Sequence, residues 1–393
     1  MMKYSKIATL VAAGLVLAGC NSTPSQQTYT VESNAGNSSL IIGKSAFEFT
    51  NSDIEVPAYF NTQGLQFCTY EANEKDSRCP LAKKTIRLYF GDVQTDVSKS
   101  LKGKSADVFN AMHSSIGKFE TKALENTLEN QFAGVNRFRI LTRDTQSVNA
   151  AMEEILADEG AAKVAKKMSG SDKLSTDYIM KIDVLKTGDM LFGSTQSLFQ
   201  TSMEMTTGVI DPYTREKLSY PNIGKIRVSN FDVRDKESFT TVIANGDYYR
   251  GFNYTSSKDV DSVMNEMASR GFDIMLTRLL KEMPATAQVM GIKGDRISLD
   301  RGQNAGVLPN ETMVVFEYSA GFVEPIGVAT VNPSQQSAQG KIVRWKESKL
   351  ASQVKDEAEQ GIYRPDRQRR IFAVSVGVPM EFMKERSTWA QKG

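Results

Sequence analysis

The sequence has little histidine, a residue that is common in catalytic and metal sites. The chain of 393 residues has one, His113, at a polar position of a predicted helix. No serine or cysteine is placed to pair with it as the nucleophile of a Ser-His-Asp or Cys-His site. The sequence also lacks a Walker-type loop, a dinucleotide-binding fingerprint and an HExxH helix. Glu153 and Glu154 are adjacent on a predicted helix, where their side chains point apart. We therefore expect a binding or assembly protein, not an enzyme, with no catalytic, cofactor-binding or metal-binding residues.

The chain also has no large excess of positive or negative charge. The 48 Lys and Arg residues against 46 Asp and Glu give a formal net charge of +2, which gives no reason to expect nucleic acid as a partner. After Cys20, no apolar run approaches the length of a transmembrane helix. With 40% hydrophobic residues, a chain of this length can bury a sizeable core and is expected to hold two or three domains.

The start of the chain has the pattern of a lipoprotein signal. Lys3 and Lys6 precede an apolar stretch at residues 7–16, which leads into Leu-Ala-Gly-Cys at residues 17–20. The apolar stretch is too short to span a bilayer as a mature helix, and the small residues before Cys20 let a signal peptidase reach the backbone. We expect residues 1–19 to be a signal peptide and the thiol of Cys20 to be the lipidation site, with acyl chains that anchor the protein.

The residues after Cys20 predict the location of the protein. Asn21 follows, whereas lipoproteins kept in the inner membrane typically have Asp there, so we expect a lipid anchor in the outer membrane and a body on the periplasmic side. Residues 20–40 are rich in Ser, Thr, Asn and Gln, a composition typical of a flexible tether.

The three cysteines predict one disulfide. With Cys20 committed to lipid, Cys68 and Cys79 remain as an even pair in an oxidising compartment. A metal site is the weaker alternative, because no histidine or further cysteine lies near them. We expect a disulfide within an N-terminal extension at residues 41–84.

Hydrophobic periodicity predicts strands and helices between residues 85 and 284. Strand-like alternation of apolar and polar positions occurs at residues 85–90, 137–142, 177–185 and 199–207. Apolar positions at helical spacing occur at residues 109–132, 148–157 and 260–279. Asp211 and Pro212 begin a predicted turn. We expect an α+β unit with helices packed on a mixed sheet.

The order of segments in this unit resembles the periplasmic domain of CsgG, the curli secretion channel lipoprotein. The resemblance covers Cys20 and about residues 85–280, and rests on four segments: NRFRILTRDTQSVNAAMEEILADEG, TDYIMKIDVL, TGVIDPYTREKL and GFNYTSSKDVDSVMNEMASRGFDIMLTRLL. It implies a CsgG-like fold and a homo-oligomeric ring that works with other secretion or envelope-assembly proteins. Lipoprotein activators of penicillin-binding proteins and flagellar ring proteins share this fold, so the fold alone does not decide the function.

The segments where that family has membrane hairpins depart from its pattern. Each subunit of a curli channel contributes two hairpins to a shared barrel, whose strands need about 9 to 11 residues. Residues 186–200 are expected to be too short for the first hairpin. The second is predicted from strands at residues 226–233 and 239–244, but one face of the first strand turns polar between Ile226 and Asp232. Membrane insertion and a solvated or subunit-contacting hairpin both remain open, and we expect the second hairpin to stay outside the bilayer.

A separate small β domain is predicted at residues 285–346. Short alternating runs with turn residues between them occur at residues 288–292, 296–300, 312–318, 326–331 and 340–345. The stretch GDRISLDRGQNAGVLPNETMVVFEY resembles the C-terminal SH3-like barrel of the flagellar ring protein FlgT. Gly302 and Gly306 fit turns with positive φ, which is a structural role.

Residues 347–393 are predicted to be a charged linker and C-terminal tail. A basic run, RPDRQRR at residues 364–370, precedes an alternating apolar run at residues 371–382. The basic run is typical of a solvated linker, and contact with anionic lipid headgroups or polysaccharide is the alternative.

Three non-catalytic functions are compatible with these patterns. The first is a ring-forming outer-membrane lipoprotein for secretion or assembly of a surface structure, which the resemblance to CsgG implies. The second is a structural ring component of an envelope machine such as the flagellar basal body, and the third is a tethered activator of a penicillin-binding protein. The first two need rings, whereas the third needs only a monomer.

Overall fold

The computed structural model describes residues 29–31, 40–68, 78–97, 106–117, 121–141, 176–192, 198–218, 223–233, 239–244, 246–253 and 256–386. Cys20, the predicted signal peptide and the predicted helix at residues 148–157 lie outside these ranges. No helix within them is long and apolar enough to cross a membrane.

Strands and helices are numbered along the described chain. The strands are β1 (Tyr29–Val31), β2 (Leu40–Ile42), β3 (Thr85–Val97), β4 (Arg139–Leu141), β5 (Tyr178–Phe192), β6 (Leu198–Ile210), β7 (Lys217–Leu218), β8 (Lys225–Ser229), β9 (Thr240–Ala244), β10 (Asp247–Asn253), β11 (Thr286–Lys293), β12 (Arg296–Leu299), β13 (Glu311–Ser319), β14 (Phe322–Pro333), β15 (Ala338–Trp345) and β16 (Arg370–Ser375). The helices are α1 (Ala106–Gly117), α2 (Thr121–Val135), α3 (Ser257–Glu282), α4 (Lys349–Gln360) and α5 (Met380–Glu385).

A mixed sheet forms the first unit, as the periodicity predicts. Its described strands have the order β4-β3-β5-β6-β10-β9, and β7 and β8 also pair with β6. β3 is parallel to both β4 and β5, and β6 is antiparallel to β5, β7, β8 and β10. The predicted α+β architecture with a mixed sheet is therefore confirmed.

The helices cover the apolar face of this sheet. On β3, Ile86, Leu88 and Phe90 are buried, while Arg87 and Tyr89 alternate with them on the exposed face. The predicted helix at residues 109–132 is two helices, α1 and α2, and α2 buries Leu124, Leu128 and Phe132 at helical spacing. Each buried side chain of this size stabilises the fold by about 1.5 to 3 kcal/mol.

β5 and β6 form one long antiparallel hairpin. They pair from Ile179 opposite Ile210 to Phe192 opposite Leu198. Residues 186–200, predicted to be too short for the first membrane hairpin, are not a segment of their own, because they include the ends of strands that are 15 and 13 residues long. Apolar and polar residues no longer alternate clearly in this segment, so the sequence did not predict that both strands continue through it.

The predicted pairing of residues 226–233 with residues 239–244 in one hairpin is wrong. β8 pairs with β6 and not with β9, whose partner is β10. β8 ends at Ser229, where the Asp232 carboxylate accepts hydrogen bonds from both the Ser229 backbone N–H (2.8 Å) and the Ser229 hydroxyl (2.9 Å). This carboxylate closes a short 3-10 turn at Asn230–Asp232, so the strand cannot continue.

A closed barrel of six strands forms the second unit, in the order β11-β12-β15-β14-β13-β16. Its first five strands lie at the positions that the alternating runs predict. The interpretation of residues 347–393 as a linker and tail is wrong for α4 and β16. β16 pairs with β11 and β13 and closes the barrel, because its apolar alternation fits a strand with two neighbours.

The N-terminal extension covers the outside of the barrel. Alternate residues of β13 face the barrel interior (Met313, Val315) or the extension (Val314, Phe316), so the strand is apolar on both faces. The predicted disulfide between Cys68 and Cys79 is present, and both cysteines are buried against this outer face. It closes the extension on itself next to the barrel.

Candidate functional site

The β9–β10 hairpin is joined to the sheet by a short stretch of strand pairing. Among the described residues, β10 pairs with β6 only through Phe252 opposite Phe199 and Asn253 opposite Leu198. The adjoining part of β6 pairs with β8 instead. At Thr201 of β6, the backbone N–H donates a hydrogen bond to the buried side-chain oxygen of Asn230 at 3.1 Å. The rest of β10 pairs only with β9 among the described strands. A two-stranded hairpin is marginally stable on its own in water.

β9 is an edge strand of the described sheet. Ile243, near the end of β9, is 64% exposed, and Phe231, in the turn that follows β8, is 51% exposed. An unpaired strand edge with an exposed apolar side chain is a site at which another chain can add. The β9 edge is therefore a candidate assembly surface.

A cleft of about 580 Å³ lies where the sheet unit, the barrel and the N-terminal extension meet, and it is called the junction cleft below. Six cationic side chains line it: Arg78, Lys83, Lys84, Arg137, Arg139 and Arg301. One carboxylate, that of Glu282, is among the lining residues. The aromatic rings of Tyr59, Phe67 and Tyr178 form part of its wall.

Parallel strand pairing brings four of these cations together. Lys83 and Lys84 directly precede β3, whereas Arg139 is the first residue of β4 and Arg137 lies two residues before it. Because β3 and β4 are parallel, with Thr85 opposite Arg139, both strands begin at the same edge of the sheet. The Arg139 backbone N–H donates to the Lys84 carbonyl at 2.9 Å, which fixes this register.

The Lys83 ammonium is held between the two units. It donates hydrogen bonds to the Asn136 side-chain oxygen and, at 3.2 Å, to the Asn304 carbonyl of the barrel unit. Burial and the nearby positive charge of Arg139 lower the pKa of Lys83. The charged form of Lys83 is thus less stable in the cleft than in water.

Arg137 forms the buried end of the cleft. Its Nε donates to the Gly306 carbonyl at 2.8 Å, and its Nη2 donates to the Glu311 carboxylate at 2.9 Å. Its Nη1 is buried and has no hydrogen-bond partner within the described residues. Gly306 has φ +70°, and a Cβ there would lie 2.4 Å from the Arg137 Cα, so this close approach requires glycine.

Tyr59 stays a neutral donor on the wall of the cleft. Burial and the negative charge of Glu282 raise its pKa above the ordinary phenol value. A neutral phenol can donate its O–H, whereas a phenolate cannot. The wall of the cleft thus combines cationic, hydroxyl and apolar groups.

The structure places the predicted site residues in two different situations. Cys68 and Cys79 are bonded as predicted, whereas Cys20 lies outside the described residues. His113 is exposed on α1. Among the residues that the structure describes, no group of three His, Cys, Asp or Glu side chains could hold a metal ion.

The predicted basic run at residues 364–370 has structural contacts at its end. The Arg370 guanidinium donates to the Cys68 carbonyl and, at 3.0 Å, to the Leu65 carbonyl, and it stacks 5.2 Å from the Phe372 ring centroid. Arg369 pairs with Glu317 at 3.0 Å. Arg370 thus links β16 to the N-terminal extension, and Arg369 is paired with β13 of the barrel. Arg364 and Arg367 are exposed.

The chain matches no protein-family model. A search of curated proteins also finds no match. The function is therefore argued from the geometry and the sequence pattern.

Proposed function

We propose that this chain is a non-catalytic outer-membrane lipoprotein that assembles into a ring for secretion or assembly of a surface structure, as CsgG-like proteins do. Cys20 would carry the lipid, and the residues between it and β1 would tether the folded body on the periplasmic side, because the predicted tether at residues 20–40 contains β1, which pairs with β2. Its partners would be further copies of itself and other envelope proteins. The order of strands and helices in the sheet unit is compatible with the resemblance of its segments to CsgG.

The observation that carries the proposal is the attachment of the β9–β10 hairpin. Only Phe252 and Asn253 join it to β6, so most of its backbone lacks a third strand among the described residues. Such a hairpin gains stability when another chain covers it or adds to its edge. A neighbouring subunit that packs on β9 would supply the missing contacts, and repetition of that contact around an axis closes a ring.

The barrel supports a second candidate, a structural ring component of an envelope machine such as the flagellar basal body. The closed barrel lies where the sequence resembles the SH3-like barrel of a flagellar ring protein. Isolation of the machine separates the two candidates, since only a structural component remains bound to purified basal bodies.

Substitution at the β9 edge tests the assembly. We expect Ile243→Glu in the full-length, detergent-extracted protein to lower the particle mass measured by light scattering, because a buried charge at a subunit contact is unfavourable. Met290, 49% exposed on β11, provides the matched control, and Met290→Glu should leave the mass unchanged. An unchanged mass for Ile243→Glu, or an equal loss in both variants, would contradict a subunit contact at β9.

A further inference from the structure

We propose that Asn230 is a positioning residue that keeps the β9–β10 hairpin off β6 and so leaves the hairpin available to a neighbouring subunit. The inference rests on the proposed subunit contact at this hairpin, and it begins with strand register. β8 pairs with β6 as far as Ser229 opposite Ser202. Continuation of this register by one residue places Asn230 opposite Thr201.

The register of β10 leads to the same residue of β6 from the other direction. Phe252 is opposite Phe199, so continuation of that register would bring Arg250 opposite Thr201. Because β5 pairs with β6 along its whole length on one side, β8 and β10 share the other side. Only one of these two strands can therefore reach Thr201.

The side chain of Asn230 occupies this position. Its oxygen accepts the hydrogen bond of the Thr201 backbone N–H at 3.1 Å, as the carbonyl of a neighbouring strand would. Asn230 is fully buried, so water does not compete for this N–H. The pairing of β10 with β6 stops at Phe252, and residues 247–251 pair with β9 alone among the described strands.

A short turn holds Asn230 in this position. The Asp232 carboxylate accepts hydrogen bonds from the backbone N–H and the hydroxyl of Ser229, which end β8 and begin the 3-10 turn at Asn230–Asp232. Asn230 Nδ2 is buried and has no hydrogen-bond partner within the described residues. A buried donor without an acceptor is unfavourable for the fold, and such exceptions call for an explanation other than stability. The hydrogen bond with Thr201 supplies one.

The hairpin is fixed at its base and exposed beyond it. Phe252 is fully buried, and its ring contacts that of Phe239 edge-on, with 6.2 Å between the ring centroids. Further along the hairpin, Ile243 is 64% exposed. Pairing of Arg250 with Thr201 would draw β10 against β6 and move the β9 edge with it. Asn230 thereby sets the position of the edge that the proposed subunit contact uses.

Cross-linking within one subunit tests this role without requiring a ring. Thr201→Cys and Arg250→Cys are introduced into full-length protein that lacks Cys68 and Cys79. A short thiol-specific cross-linker, followed by mass spectrometry of a digest, then reports how often the two positions meet. We expect Asn230→Ala to raise the cross-linked fraction by about tenfold or more, because a minor state is typically populated at about 10% or less.

Two further variants complete the cross-linking test. Asp232→Ala removes the acceptor that holds the turn and should raise the cross-linked fraction as well. Asn332→Ala is the matched control: the Asn332 side chain also accepts a hydrogen bond from a backbone N–H, that of Asn310 at 3.0 Å, but it lies on β14 of the barrel, so the fraction should not change. An unchanged fraction in folded Asn230→Ala, or in Asp232→Ala where Asn230→Ala does not fold, would overturn the proposal.

The link to assembly is tested separately, in protein without the added cysteines. We expect Asn230→Ala to lower the particle mass measured by light scattering on detergent-extracted protein, whereas Asn332→Ala should keep the wild-type mass. A ring of wild-type mass formed by Asn230→Ala would overturn the role of Asn230 in assembly. Monomers of the wild type would instead contradict the ring itself, and the cross-linking result does not depend on that outcome.

Discussion

Arg137 and Glu311 form a buried ion pair across the junction of the two units, with 2.9 Å between Arg137 Nη2 and Glu311 Oε1. Arg137 lies two residues before the start of β4 of the sheet, and Glu311 begins β13 of the barrel. The same carboxylate accepts hydrogen bonds from the Leu308 backbone N–H at 2.7 Å and from the Ser375 hydroxyl at 2.6 Å. One side chain therefore joins the sheet unit, the start of β13 and the end of β16.

Removal of this carboxylate should destabilise the protein strongly. We expect Glu311→Ala to lower the free energy of unfolding by about 3 to 5 kcal/mol, because the Arg137 charge is then buried without its partner. Glu324→Ala, at an exposed position of β14, is the control and should change it by less than about 0.5 kcal/mol. Chemical denaturation measures both, and a loss below about 1 kcal/mol for Glu311→Ala would contradict the role of the pair.

The ion pair of Lys44 and Asp53 predicts a dependence of stability on pH. Its atoms lie 2.6 Å apart, and the hydrogen bond from Lys44, aided by that from the Thr50 backbone, lowers the pKa of Asp53 to about 2. A carboxyl whose pKa is lower in the folded state adds stability above its unfolded pKa and loses it as the pH falls toward the folded value.

We therefore expect wild-type protein to be more stable than Asp53→Asn at pH 6. The difference should shrink as the pH falls from the ordinary value of 3.8 to about 2. Denaturation curves over this pH range measure it. A difference that does not vary with pH would show that Asp53 acts through packing and not through its charge.

The disulfide should stabilise the extension on the barrel. Closing a loop between residues separated by 11 positions restricts the unfolded chain and contributes about 3 kcal/mol. We expect Cys68→Ala with Cys79→Ala to lower stability by about that amount while the sheet unit stays folded. Non-reducing mass spectrometry of a digest should recover the linked peptides from the wild type, and two free thiols in protein from the periplasm would refute the bond.

Cys20 should be the acylation site. We expect Cys20→Ser to abolish incorporation of a labelled fatty acid, because the thiol is the only group in the predicted lipobox that can accept the acyl chains. Cys68→Ala with Cys79→Ala is the matched control and should keep the label. Label retained by Cys20→Ser would rule out this anchor.

Residues 226–244 should stay outside the bilayer. Single cysteines in place of Phe231 and Ile243, both exposed, can be introduced in a background that lacks Cys68 and Cys79. We expect both to react with a water-soluble maleimide, or to be protected only when neighbouring subunits are present. Labelling by a lipid-phase reagent at both positions would instead place the segment in the membrane.

The alternation of apolar and polar residues predicted where the strands lie better than it predicted which strands pair. The runs at residues 85–90 and 312–318 became β3 and β13 because their buried faces are read directly from a period of two. The pairing of β8 with β6 was missed because neighbouring strands with a turn between them resemble a hairpin, and only the tertiary context decides which edge is free. Likewise, β16 is separated from β15 by α4, so its place in the barrel is not visible locally.

The disulfide could be predicted from the sequence, but the junction cleft could not. The bond between Cys68 and Cys79 follows from the number of cysteines and the assignment of Cys20 to lipid. Lys83 and Arg139 are 56 positions apart, and they lie close together only because β3 and β4 pair in parallel register. The available signal was a basic residue pattern at the start of two predicted strands. It becomes a site only when both strands begin at one edge of the sheet.

The most direct test of the central claim is electron microscopy of the full-length, detergent-extracted protein as single particles. The proposed function predicts closed rings of several subunits, with the β9–β10 hairpin of each subunit against its neighbour. A homogeneous population of monomers at the same protein concentration would contradict it.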